Sequence, residues 1–203
     1  MASLRCVLEN IENEANRASI VRSVEALGLL HVHEVRREER KGKRPRARLS
    51  TCDSEKWLRV HAHDSVGACV AQLRAEGFIL CAAMAPVEAS PGQGGQTLDL
   101  GDLDFSRPVA LVFGNERHGV SEEMRRACDS GFSIPMRGLV ESLNVSVAAS
   151  IALHWGRTER ERILRSETDH DHSGESVQSL GDLNEEELKH LEAEYLQIAT
   201  ESK

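Results

Sequence analysis

Pro108-Val-Ala-Leu-Val-Phe-Gly-Asn-Glu-Arg-His-Gly-Val-Ser121 and Ile134-Pro-Met-Arg-Gly-Leu-Val-Glu-Ser-Leu-Asn-Val-Ser146 decide how this chain is read. Each is an apolar strand that runs into a polar, glycine-bearing turn and then into a helical pattern. That layout sets backbone amides and a few polar side chains at the carboxyl end of a sheet, where open α/β folds bind ligands. The first turn, Gly114-x4-Gly119-Val120-Ser121, is one residue away from a phosphate-binding P-loop. A valine stands where the phosphate-seeking lysine would be, so nucleotide hydrolysis fails on its own chemistry.

Working outward, β and α patterns alternate from residue 4 to about 157. Strands are expected at Leu4–Leu8, Leu30–Val35, Trp57–Val60, Phe78–Ala83, Val109–Phe113 and Phe132–Ile134. Helices are expected at Asn16–Leu27, closed by Gly28, at Ser65–Ala75, closed by Gly77, and at Ser121–Cys128. The Pro/Gly/Gln stretch Ala89–Gln96 reads as a loop. Strands alternating with helices imply an α/β fold with a parallel sheet flanked by helices on both faces. The last helix, Ser142–Trp155, carries Leu143, Val145, Val147, Ile151 and Leu153 and has almost no polar face. A helix apolar all round is buried all round, here between the sheet and a second subunit.

Composition narrows the class. Aromatic residues are only 3% of the 203, so the core must come from Val, Leu, Ile and Ala. No apolar run is long enough to span a bilayer, and no secretory signal precedes the first strand pattern. The five cysteines are scattered, as expected of reduced thiols rather than a disulfide framework. Both features point to the cytoplasm, with an organelle or the nucleus compatible. His31-x-His33, His61-x-His63 and His170-x-His172 occur without a Cys-x-x-Cys or an HExxH, so no metal is expected.

The net charge of −8 is unevenly spread. Arg36–Arg48 carries eight basic residues against Glu38 and Glu39, while the tail from Ser166 is strongly acidic. A concentrated basic loop is the footprint of a polyanion-binding surface, which makes Arg44, Arg46 and Arg48 candidate RNA contacts. We divide the chain into a domain over 1–157 and a charged extension over 158–203. That extension is partly disordered in composition, with a terminal helix over about 184–200 capped by Asn184 and Glu187.

Three ordered motifs then carry a resemblance. Asn16-Arg-Ala-Ser-Ile-Val-Arg22 follows the first strand, Phe113-Gly-Asn-Glu116-x-x-Gly-Val-Ser ends a late one, and Ile134-Pro-Met-x-Gly-x-x-x-Ser142-Leu-Asn144-Val-Ser opens the last helix. Together they resemble the SpoU/TrmH branch of the SPOUT RNA ribose 2′-O-methyltransferases, nearest its tRNA guanosine-2′-O-methyltransferase members. The likeness covers roughly residues 4–157. It implies a deep trefoil knot in the C-terminal half, a homodimer, S-adenosyl-L-methionine (AdoMet) as cofactor, and tRNA as substrate, with a D-loop guanosine the best single choice. By position, the cofactor contacts fall at Ala83, Gly114, Ile134 and Leu143, and the catalytic set at Asn16, Arg22, Glu116, Ser142 and Asn144.

Those residues make physical sense in such roles. AdoMet has no pyrophosphate, so close backbone approach at Gly114 and Gly138 matters more than a phosphate cradle. Ser142 and Asn144 are N-capping types at a helix start, and Glu116 could cap the helix at Ser121. Arg22 sits on an otherwise apolar stretch. A guanidinium is too weak an acid to serve as a base, so clamping a phosphate and stabilising a developing alkoxide suits it better. Two departures stand against the likeness: no basic helix precedes the first strand, and the C-terminal extension is acidic. The competing readings are a catalytically silent SPOUT domain that binds RNA or a protein, the same chemistry on rRNA, and a Rossmann-type nucleotide site. The last is disfavoured because Gly92-Gln-Gly94-Gly95 lies in a loop with Thr97 in place of the final glycine.

Overall fold

The computed structural model describes residues 4–36, 54–85 and 97–168, together with positions 189 and 193. Seven parallel strands form one sheet: β1 (Leu4–Glu9), β2 (His31–Val35), β3 (Arg59–His63), β4 (Ile79–Ala83), β5 (Thr97–Asp99), β6 (Val109–Phe113) and β7 (Ser130–Ser133). Their spatial order is β3-β2-β1-β6-β4-β7-β5. The α-helices that accompany them are α1 (Glu14–Ala26), α2 (Val66–Ala75), α3 (Glu122–Ala127) and α4 (Val145–Thr168).

β1 and β6 are buried at every position and pair in the centre, Leu4 opposite Val109 through Leu8 opposite Phe113. Their near-continuous apolar sequences are what a parallel sheet covered on both faces requires. On one face, Cys6, Leu8, Leu111 and Phe132 pack with Ile20, Val21 and Val24 of α1 and with Ala149, Ala152 and Leu153 of α4. On the other, Val7, Leu80, Ala110 and Val112 pack with Cys69 and Leu73 of α2 and Met124 of α3. Alternate residues of the same strands therefore serve two separate cores.

Helix ends follow local chemistry. Asn13, Ser65 and Ser121 cap α1, α2 and α3 by accepting from Ala15 N (2.9 Å), Ala68 N (3.2 Å) and Met124 N (3.2 Å). Gly28 and Gly77 follow α1 and α2 at φ +69° and +83°, a left-handed conformation that glycine adopts without a Cβ clash.

Four sequence expectations shift. Trp57 lies in a short 3-10 turn (Ser54–Trp57), and the strand expected at Trp57–Val60 runs over Arg59–His63. β5 had no sequence signal, because a three-residue edge strand shows no period. The strand expected at Phe132–Ile134 ends at Ser133.

The fourth concerns the last helix. It begins at Val145, three residues later than expected, and runs unbroken past 157 to Thr168. Arg160 Nη1 ties this later part to the body by donating to the carbonyls of Phe105 (2.5 Å) and Arg107 (3.0 Å). Within one chain α4 is also not covered on all sides: Val147, Ile151 and Trp155 are exposed while Ala149, Ala152 and Leu153 are buried.

Cys6, Cys69 and Cys81 are buried and free, and Cys128 is partly buried and free. Among the described residues no helix is long and apolar enough to cross a membrane. The basic stretch with Arg44, Arg46 and Arg48, the loop Ala89–Gln96 and nearly all of the expected terminal helix lie outside the described residues. Of that helix, positions 189 and 193 are helical.

Candidate active site

A cleft of about 610 Å³ opens at the carboxyl ends of the central strands. The segments after β1, β4, β6 and β7 and the start of α4 all contribute to it. It lies where the strand order reverses direction, which is where doubly wound sheets leave space between diverging loops.

The Gly114–Ser121 loop forms one wall, held shut from within. Asn115 and Gly119 exchange backbone hydrogen bonds of 2.9 and 2.8 Å. Asn115 Oδ1 accepts from the amides of Arg117 (2.9 Å) and His118 (3.1 Å), and its Nδ2 donates to Asn10 O (2.9 Å). The loop folds back so closely that a Cβ on Gly114 would stand 2.2 Å from the backbone of Gly119 and Val120. Only glycine fits there. The far end is anchored by Glu9, buried at the end of β1, which accepts from Ser121 N (2.8 Å) and Ser121 Oγ (2.5 Å). Hydrogen bonds to a buried carboxylate, shielded from competing water, are among the stronger ones.

Glu116 does not cap the helix at Ser121, which was the alternative to its place in the motif set. It caps α1 from a hundred residues away. Its Oε2 accepts from Glu12 N (2.9 Å), and its Oε1 accepts from Asn13 N (2.9 Å) and Asn16 Nδ2 (3.1 Å). Partial burial works to raise its pKa, but these three donors outweigh it and hold the carboxyl below the ordinary glutamate range. The charge also sits at the positive end of the α1 dipole.

Asn16 extends the network. Its Oδ1 accepts from Asn144 Nδ2 at 3.1 Å, while Asn144 Oδ1 accepts from Ser146 N (2.8 Å) and Ser146 Oγ (2.6 Å). Asn144 thus caps α4 with its oxygen and reaches α1 with its nitrogen. The result is a continuous chain, Asn144–Asn16–Glu116, that fixes both helix starts at the cleft.

Of the residues expected from sequence, Asn16, Glu116, Ser142 and Asn144 line the cleft, and so do Ala83, Gly114, Ile134 and Leu143. The last four come from three separate segments. They supply small and apolar surfaces beside the loop amides, a wall suited to a flat heteroaromatic group and its sugar. Arg22 is not among the lining residues. It is exposed on α1, next to Ser23, whose Oγ bonds Ser150 Oγ of α4 at 2.8 Å. The expectation that Arg22 shares the cleft does not hold within one chain: six residues along a helix turn it to another face.

Sequence reading missed Glu9, Glu12 and Asn13. Glu9 looks like an ordinary strand terminus, and Glu12 and Asn13 contribute only amides, which carry no residue signature. Met84 and Met136, which also line the cleft, could have been found from their places one and two residues after expected strands.

Comparison with known proteins bears on this geometry. Residues 3–154 match the model of the SpoU rRNA Methylase family. The chain is 32% identical over 157 residues to the tRNA (guanosine(18)-2′-O)-methyltransferase of Thermus thermophilus, covering 77% of this chain and 75% of that protein. The TrmH/SpoU tRNA modifying enzyme of A. aeolicus superposes with a TM-score of 0.70 at 29% identity, over 97% of this chain and 89% of that one. The SpoU methyltransferase AviRb of Streptomyces viridochromogenes, solved with AdoMet, gives 0.62 at 26% identity, over 80% and 61%.

Proposed function

The chain belongs to the SpoU rRNA Methylase family, and from that premise we propose that it transfers a methyl group from AdoMet to a ribose 2′-hydroxyl of tRNA, at a guanosine. The observation that carries this reading is the convergence of seven motif residues and Ala83 from distant segments on one cleft. tRNA is preferred to rRNA because the Thermus relative is named for guanosine 18 of tRNA. A silent binding module is disfavoured because Arg22, Glu116, Ser142 and Asn144 are all present, where a decayed site would have lost them.

The cleft fits the cofactor. Gly114 leaves room for close approach, and Ala83, Ile134 and Leu143 provide apolar contact for an adenine. AdoMet supplies an electrophilic methyl on a positively charged sulfur. Glu116, ionised throughout the neutral range, holds the α1 start in register with the cleft. Asn16 and Asn144 keep side-chain amides fixed at its rim, and Ser142 offers a hydroxyl beside them. Preorganised dipoles of this kind stabilise developing charge without reorganising during the reaction.

Arg22 enters this reading from a second copy. α4, which packs on α1, exposes Val147, Ile151 and Trp155 at four-residue spacing, an apolar face that suits a two-fold interface. At such an interface Arg22 of one chain serves the cleft of the other, gripping the phosphate next to the target ribose and stabilising the alkoxide. The family likeness further implies a knotted C-terminal half. The basic segment Arg36–Arg48 supplies tRNA affinity, and a tRNA-modifying role suits the cytoplasm. Residues 1–157 are taken as the catalytic domain and 158–203 as its extension.

The test is methyl transfer from labelled AdoMet to unmodified tRNA transcripts, followed by digestion to nucleosides. 2′-O-methylguanosine is expected. Base-methylated products, or cofactor binding without transfer, overturn the reading.

A further inference from the structure

Four histidines stand together on the sheet edge away from the cleft. β2 and β3 pair in parallel with His33 opposite His61 and Val35 opposite His63. This register stacks the rings in the order His31, His61, His33, His63. Successive centroids are 5.1, 4.5 and 5.2 Å apart, with planes within 13°. His31 Nδ1 meets His61 Nε2 at 2.8 Å, and His33 Nδ1 meets His63 Nε2 at 3.0 Å.

The inner end of the stack holds unused donor capacity. His33 is fully buried, and its Nε2 has no hydrogen-bond partner. A buried imidazole nitrogen left unpaired is unfavourable unless something else meets it. Cys69, in the first turn of α2, is also fully buried, and His63 is 9% exposed. One donor atom from each of His33, His63 and Cys69 lies within 4.8 Å of the other two.

We propose that His33, His63 and Cys69 bind a zinc(II) ion, held between the middle of β2, the end of β3 and the first turn of α2. Two imidazoles and a thiolate form a borderline-to-soft set that selects zinc over magnesium or calcium. Tetrahedral zinc needs such donors about 3.3–3.6 Å apart, a contraction within reach of side-chain rotation from the spacing seen. The fourth coordination position is left to water or an added ligand.

The protonation states suit the imidazoles. Burial, reinforced by the neighbouring histidines and by Arg5, lowers His33 to about 3, and burial likewise lowers His63, so both are neutral with lone pairs available. Burial, with the Glu9 carboxylate nearby, pushes the Cys69 thiol up to about 12. Binding must therefore displace a proton from sulfur. The surrounding charge is mixed: Arg5 opposes a cation, whereas Glu9, Asp64 and Glu76 favour one. The ion's effect is to fasten β2, from which the basic segment departs, to β3 and α2. The two His-x-His pairs gave no metal signal in the sequence because the third ligand comes from the next helix and the pairing from sheet register.

Zinc(II) titration of the chelator-stripped full chain, in competition with a chromophoric chelator, tests the proposal, with cobalt(II) as a spectroscopic probe of thiolate ligation. One zinc per chain with sub-micromolar affinity is expected, with release of one proton and a higher melting temperature. Cys69→Ser should abolish the thiolate-to-cobalt charge-transfer band and weaken zinc at least tenfold, whereas Cys52→Ser should change neither. Should Cys69→Ser not fold, His63→Gln at the rim of the site should give the same loss of affinity. Failure of the wild type to hold zinc below micromolar concentrations overturns the proposal. So does a band or an affinity that survives loss of Cys69 or His63, which would place the metal elsewhere, as at His170 and His172.

Discussion

Asn144 Nδ2 donates to Asn16 Oδ1 at 3.1 Å, joining two helix starts 128 residues apart. Because Asn16 also bonds Glu116, the pair should act as one unit. Asn16→Ala and Asn144→Ala should each destabilise the chain, and a double-mutant cycle in urea should return a coupling of about 0.5–1.5 kcal/mol. Additive effects would mean that the contact carries no energy.

Glu116 gives a pH signature. Its folded pKa lies below the ordinary 4.5, so its contribution is fully present above that value and is lost as the pH falls through the lower folded pKa. The melting-temperature gap between wild type and Glu116→Gln should be constant across neutral pH and close below 4.5. A gap that widens in acid would reverse the sign and exclude depression by the three donors.

Gly114→Ala should damage the cleft before the fold. The added methyl meets backbone at 2.2 Å, which no side-chain rotation relieves. Overpacking of this kind costs about 1–3 kcal/mol, and the loop must open to accept it. AdoMet affinity by calorimetry should fall at least tenfold while the circular dichroism spectrum is retained. Unchanged affinity would place the cofactor away from this loop.

The exposed α4 surface predicts a dimer that one charge disrupts. Sedimentation should show twice the chain mass for wild type and a monomer for Ile151→Glu. A wild-type monomer with full activity would remove the need for a second copy.

Arg22 can be tested in trans. Arg22→Ala should lower single-turnover methyl transfer roughly a hundredfold or more while cofactor binding is kept. Mixed and re-equilibrated with Gly114→Ala, it should recover about a quarter of wild-type activity, since half of the dimers are mixed and each holds one competent site. No recovery would mean that Arg22 serves the cleft of its own chain.

Much of this protein was determined within short windows of sequence. The apolar runs of β1 and β6, the stops at Gly28 and Gly77, and the capping serines each act over a turn or a strand, so the residues alone specify them. The ordered motifs around Asn16, Gly114 and Ser142 marked the cleft residues for the same reason. Tertiary structure decided which helix Glu116 caps, because its partners are backbone amides a hundred residues away with no side-chain signature. It decided that Arg22 faces out of its own cleft, which depends on how α1 is rotated against α4. It also decided that four separated histidines form a single stack, since strand register is chosen by the packing of whole faces and not by the spacing of any one pair.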